Sequence, residues 1–136
     1  MIKFFRNAAV SVVFLILLQS TWGQPKIPPK YKDSPLEIVK LPKFCWAQYV
    51  DGAYTGVPGF SLPEVCGVYM NHFCPGLIHL SRASDISKPK AKRSESLRMA
   101  TEDIQYTLQY TTPACPIYPD ALAAKARADA LRMFVK

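Results

Sequence analysis

Four cysteines, Cys45, Cys66, Cys74 and Cys115, stand in a chain of 136 residues. How they are used depends on the compartment, and the N-terminus speaks to that. Met1 to Arg6 carries Lys3 and Arg6, Ala8 to Leu18 is an apolar core of 11 residues interrupted only by Ser11, and Thr21 and Gly23 are small residues three and one before a cut ahead of Gln24. That order of basic, apolar and small-residue segments is the pattern of a secretory signal. A membrane span needs about 20 apolar residues, and this stretch stops at Gln19. Residues 1–23 are therefore expected to be cleaved, leaving no stable membrane span and an exported chain, periplasmic or secreted. In an oxidising compartment an even cysteine count predicts two disulfides.

Disulfides matter to a chain this small. A domain of about 110 residues buries only around two-thirds of its surface, and each closed loop contributes about 2–4 kcal/mol. Removing the signal takes away Lys3 and Arg6 and no acid, so the formal charge falls from +7 to +5. A nucleic-acid binder concentrates charge on one face with aromatics between. Here the only dense run is Lys88, Lys90, Lys92 and Arg93, broken by Pro89, and it reads as a solvated loop, so no nucleic-acid partner is expected.

Along the mature chain, residues 24–43 hold Pro25, Pro28, Pro29, Pro35 and Pro42. Proline fixes its own φ and pushes its predecessor toward extended geometry, which predicts an extended arm. Residues 44–136 form the expected domain. Phe44, Cys45, Trp46 and Tyr49 have the spacing of one helical turn, and the Gly and Pro residues up to Gly67 mark turns. From Phe73 the period becomes 3.6: Phe73, Leu77, Leu80 and Ser84 draw one stripe, with Pro75 placed in the first turn where its missing donor costs nothing. Leu97, Ala100, Ile104, Leu108 and Thr111 define a second helix capped by Ser94 or Ser96 and ended by Pro113. Met99, Tyr106 and Tyr110 give that helix a second apolar face. A third helix after Asp120 carries Ala123, Ala126, Ala130 and Phe134 on one stripe that would admit a neighbouring helix closely. The fold class is all-α.

Three successive helices with short connectors follow the grammar of helical-hairpin repeats. Phe73, Leu80, Ala100 and Ile104 fit the aromatic, bulky, small and large positions of a tetratricopeptide hairpin, and Pro113 lies one place from its terminal proline. Residues 72–134 thus resemble one such hairpin plus the first helix of another. The string Asn71-His72-Phe73-Cys74-Pro75-Gly76-Leu77 and the string Asp103-Ile104-Gln105-Tyr106-Thr107-Leu108 are similar to those of exported proteobacterial proteins with such repeats. The resemblance implies a binding role and no reaction. Among the three possible pairings, a stack of such hairpins sets Cys74 beside Cys115, which leaves Cys45 with Cys66.

No Gly-rich phosphate loop, paired helical histidines or Gly-x-Ser-x-Gly turn occurs, and the acids are single except Glu102 beside Asp103, whose side chains diverge on a helix. No enzymatic activity and no cofactor are expected. Cys66, Met70, His72 and Cys74 could together hold copper or zinc, at the expense of the disulfides. The remaining candidates are aromatic. Trp46, Tyr49, Tyr54 and Phe60 either cover one end of the helices or, with Tyr106 and Tyr110, present the side chains enriched at protein interfaces. The function expected is a non-catalytic helical scaffold for a protein partner, with periplasmic metal binding as the alternative.

Overall fold

The computed structural model describes residues 33–50, 54 and 56–135. The signal segment 1–23 and residues 24–32 of the arm lie outside the described residues. Within them the chain is all-α: α1 (Pro35–Ile38), α2 (Lys43–Tyr49), two 3₁₀ turns (Glu64–Cys66 and Val68–His72), α3 (Phe73–Ser84), α4 (Lys90–Tyr110) and α5 (Tyr118–Val135).

Helices α3 and α4 form an antiparallel hairpin. Near the start of α3, Gly76 faces Ile104, and near its end the Ala83 carbonyl accepts from Arg93 Nε at 2.9 Å. The connector is only five residues, 85–89, because α4 begins at Lys90 with Pro89 as its N-cap, earlier than the predicted Ser94 or Ser96. The segment Lys90–Arg93 lacks apolar periodicity, yet Lys, Ala and Arg are good helix formers, and an Arg93 N–H to Pro89 O bond of 3.1 Å closes the first turn.

Helix α5 lies against both members of the hairpin. Its inward stripe is Ala121, Ala124, Ala128 and Val135, all buried, whereas Ala123, Ala126 and Ala130 are exposed and Phe134 is 72% exposed. The predicted stripe is therefore on the wrong face. Six alanines from 121 to 130 place small residues all around the helix, so alanine spacing carries no direction. Burial is decided instead by which stripe ends in Val135 and includes half-buried Leu131, both of which reach the core formed by Phe73, Leu80 and Ile104.

The stretch from Ser34 departs from the extended arm expected over 24–43. Ser34 Oγ accepts from the Leu36 amide at 3.2 Å and Glu37 Oε2 accepts from the Ser34 amide at 3.1 Å, a reciprocal capping box. Pro35 occupies the first helical position, where proline is favoured. The Ser-Pro-Leu-Glu string is thus a helix start rather than a break. The turn carries buried Ile38 into a second core with Leu41, Cys45, Tyr49, Cys74 and Ile78. Helix α3 is consequently sandwiched: Phe73, Leu80 and Ala83 face α4 and α5, while Cys74 and Ile78 face α1 and α2.

The two disulfides follow these faces. Cys45 bonds Cys74 and Cys66 bonds Cys115, which corrects the expected Cys74–Cys115 and Cys45–Cys66 pairs. Cys74 shares its helical face with Ile78, four residues on, and so points at α2 and Cys45. The 3₁₀ turn ending at Cys66 is then left beside the α4–α5 connector that holds Cys115.

Candidate functional site

The aromatic residues sort into three environments. Tyr49 is buried in the core shared by α2 and α3, so it presents nothing to a partner. Trp46, Tyr54 and Phe60 form a cluster over α2: Tyr54 and Phe60 stack at 4.3 Å, and both meet the indole edge-on, at 5.8 and 5.9 Å. Trp46 Nε1 donates to the Leu41 carbonyl at 3.0 Å, and Lys43 Nζ lies 5.8 Å from the Phe60 centroid. All three rings are half-buried, as expected of side chains that cover the end of a helix. The loop they belong to is not closed by Cys45–Cys66, since Cys45 is bonded to α3.

The third environment is open. Tyr69, Tyr106 and Tyr110 are 41%, 37% and 48% exposed. Tyr106 and Tyr110 are one turn apart on α4 with centroids at 4.7 Å, and Tyr69 reaches over from the second 3₁₀ turn to within 5.8 and 5.0 Å of them. The His72 ring sits 4.5 Å from Tyr106, and its Nδ1 is 3.4 Å from Asp103 Oδ1. The second apolar face predicted for α4 does exist, but among the described residues no α-helix packs on its Tyr106–Tyr110 end. A platform of rings with one acid and one imidazole at its border takes that place.

The platform is held from below. Met70, next to Tyr69, is fully buried, and Cys66 ties the preceding 3₁₀ turn to the α4–α5 connector through Cys115. On α4, buried Ile104 and Thr107 flank Tyr106, with Thr107 Oγ1 donating to the Asp103 carbonyl at 2.9 Å. Tyr69 is the member that sequence reasoning passed over. Its 3₁₀ turn has no 3.6-residue period, and the usable signal was its place beside the apolar Met70.

The proposed metal ligands are separated. Cys66 and Cys74 belong to different disulfides, Met70 is buried in the core, and His72 faces Asp103 and Tyr106. Among the described residues no group of three or more His, Cys, Asp or Glu side chains is placed to hold an ion. Helix α3 carries a second histidine, His79, whose Nδ1 is buried without a hydrogen-bond partner among the described residues. Burial chiefly holds its pKa below the ordinary value, opposed by the Asp103 charge.

At the far end of α3, Arg82 closes an ion-pair clamp that sequence reasoning did not find. Its Nε and Nη2 donate to Glu37 at 2.7 and 2.8 Å, and Nη2 also donates to Asp33 at 2.6 Å. The bonds from Arg82 hold the Glu37 carboxyl below its ordinary pKa. The clamp fixes α1 to α3, and with it the point where the chain upstream of Asp33 leaves the helices.

Comparison with family models, with curated proteins and with solved structures finds no match for this chain. Among the described residues no helix is long and apolar enough to cross a membrane.

Proposed function

We propose that the protein is an exported, non-catalytic helical scaffold that binds a protein partner through the Tyr69–Tyr106–Tyr110 platform. The observation that carries this reading is the exposure of three tyrosines in mutual contact on a backbone fixed by a disulfide and by buried neighbours on both sides. Tyrosine offers large contact area with little rotamer entropy to lose, and it is enriched among the residues that dominate binding energy. Two fully bonded cysteine pairs suit an oxidising compartment, which supports export. The α3–α4 hairpin with α5 alongside supports the tetratricopeptide-like reading of residues 72–134, and such hairpins act as binding modules.

Affinity capture from the exported fraction tests the reading, comparing the wild type with a Tyr106→Ser/Tyr110→Ser variant. Truncating an interface hot spot costs about 2 kcal/mol or more, so a genuine partner should be retained by the wild type and lost from the variant. Because the rings are exposed, the variant should keep the wild-type melting temperature. Identical sets of captured proteins would sink the proposal.

A further inference from the structure

The platform is an aromatic surface with a candidate occupant in the same chain. We propose that the segment Gln24–Lys32 docks on Tyr69, Tyr106 and Tyr110, covering the platform in the free protein. This segment reads Gln-Pro-Lys-Ile-Pro-Pro-Lys-Tyr-Lys. Proline-rich segments bind aromatic-lined surfaces because their polyproline II geometry is preformed, so little entropy is lost on docking. The three rings touch one another, with centroids 4.7–5.8 Å apart. Their planes are inclined by 35–69° to one another, so what they offer is a ridged surface of ring faces and edges, the kind of aromatic lining against which successive proline rings pack.

Reach agrees with this occupant. Asp33 is fixed by Arg82, and His72 at the N-cap of α3 is followed by Pro75, His79 and Arg82 at helical steps of 3, 4 and 3 residues, all half-buried, along one side of that helix. From Arg82 back to His72 is about 15 Å at 1.5 Å per residue. Nine residues upstream of Asp33 span about 28 Å in polyproline II, enough to follow that row and cross Tyr106. Charge agrees as well: Lys26, Lys30 and Lys32 would run past Asp103 at the platform border, and the segment carries no acid.

The test uses the full exported chain. Hydroxyl-radical footprinting should modify Tyr69, Tyr106 and Tyr110 several-fold more slowly in the wild type than in a Pro25→Gly/Pro28→Gly/Pro29→Gly variant. A synthetic peptide of residues 24–32 should restore the protection in that variant. Independently, the labelled wild type should show nuclear Overhauser contacts from the Pro28 and Pro29 rings to the Tyr106 ring. Equal labelling, or absence of those contacts, overturns the proposal, and protection that fades on dilution reassigns the occupant to a second copy and overturns it too. The inference builds on the platform assigned above as a partner site, yet the two fail separately. Loss of a partner in the tyrosine variant without any arm contact leaves only the partner site, and arm contact without partner loss leaves only the docking.

Discussion

Gly76 of α3 lies so close to Ile104 of α4 that a Cβ built on the glycine would stand 2.9 Å from Ile104 Cγ1 and 3.2 Å from Asp103 Cβ. Ile104 is fully buried, so it has no open space to retreat into. Alanine would gain about 1 kcal/mol of helix propensity over glycine, but overpacking a filled core costs about 1–3 kcal/mol. Gly76→Ala is expected to destabilise the protein by up to about 2 kcal/mol, read from urea unfolding with the m-value unchanged. An increase in stability would show that the hairpin can spread without loss.

Arg82 holds α1 through Glu37 and Asp33, and all three side chains are largely buried. Removing the cation leaves two acids side by side, which costs more than an exposed pair would and less than a fully buried one. Arg82→Ala is expected to lose about 1–3 kcal/mol. Glu37 titrates below its ordinary value of 4.5 in the folded chain, so its contribution is complete above that pH and vanishes as the pH falls through the folded value. The stability gap between wild type and Glu37→Gln should therefore be clear at pH 7 and shrink as the pH falls below 4.5.

What the sequence disclosed and what it hid divide by the kind of signal. Helix α3 and the body of α4 were legible because Phe73, Leu80, Ala100 and Ile104 repeat at helical steps with few competing apolar positions. The α5 face was not, since its alanines are spread around the whole helix. The cysteine pairing turned on one overlooked fact, that Cys74 lies on the stripe of Ile78 and not on that of Phe73. The platform was half visible in Tyr106 and Tyr110, while Tyr69 comes from a 3₁₀ turn whose position depends on Cys66–Cys115, a contact 49 residues apart in sequence. The Arg82 clamp spans 45 and 49 residues to Glu37 and Asp33 and has no local signature.

The disulfide assignment predicts a specific peptide map. Proteolysis without reduction should yield peptides linking Cys45 to Cys74 and Cys66 to Cys115, with no alkylatable thiol in the native protein. Linked peptides from Cys45–Cys66 or Cys74–Cys115 would contradict the fold. The bonds interleave along the sequence, and Cys66–Cys115 closes the longer loop, 49 residues against 29. Each double alanine variant is expected to lose about 2–5 kcal/mol. Loss of Cys66–Cys115 should also increase the labelling of Tyr69, because that bond anchors the turns beneath it.

Which alanines of α5 face the core can be settled by enlarging them. Ala128 is 1% exposed, and leucine there must force its way between α5 and the hairpin, at a cost of about 1–3 kcal/mol. Ala126 is exposed on the opposite side, where leucine should change stability by no more than about 0.5 kcal/mol. Reversal of that order in thermal melts would put the helix the other way round.

His79 supplies a pH dependence near neutrality. Its folded pKa is held below the ordinary 6.5, chiefly by burial and in part by the Arg82 charge, although Asp103, Asp33 and Glu37 pull the other way. The unfolded chain therefore binds the proton more readily than the folded one, and stability is complete above about pH 7. As the pH falls through 6.5 toward the folded value, protonation drains the native state. His79→Gln keeps a polar side chain and removes the titration, so the wild type should lose more stability than the variant between pH 7.5 and 5.5 in urea unfolding. Parallel losses would mean that the imidazole charges in the folded protein as easily as in the unfolded one, with the Asp103 charge offsetting burial.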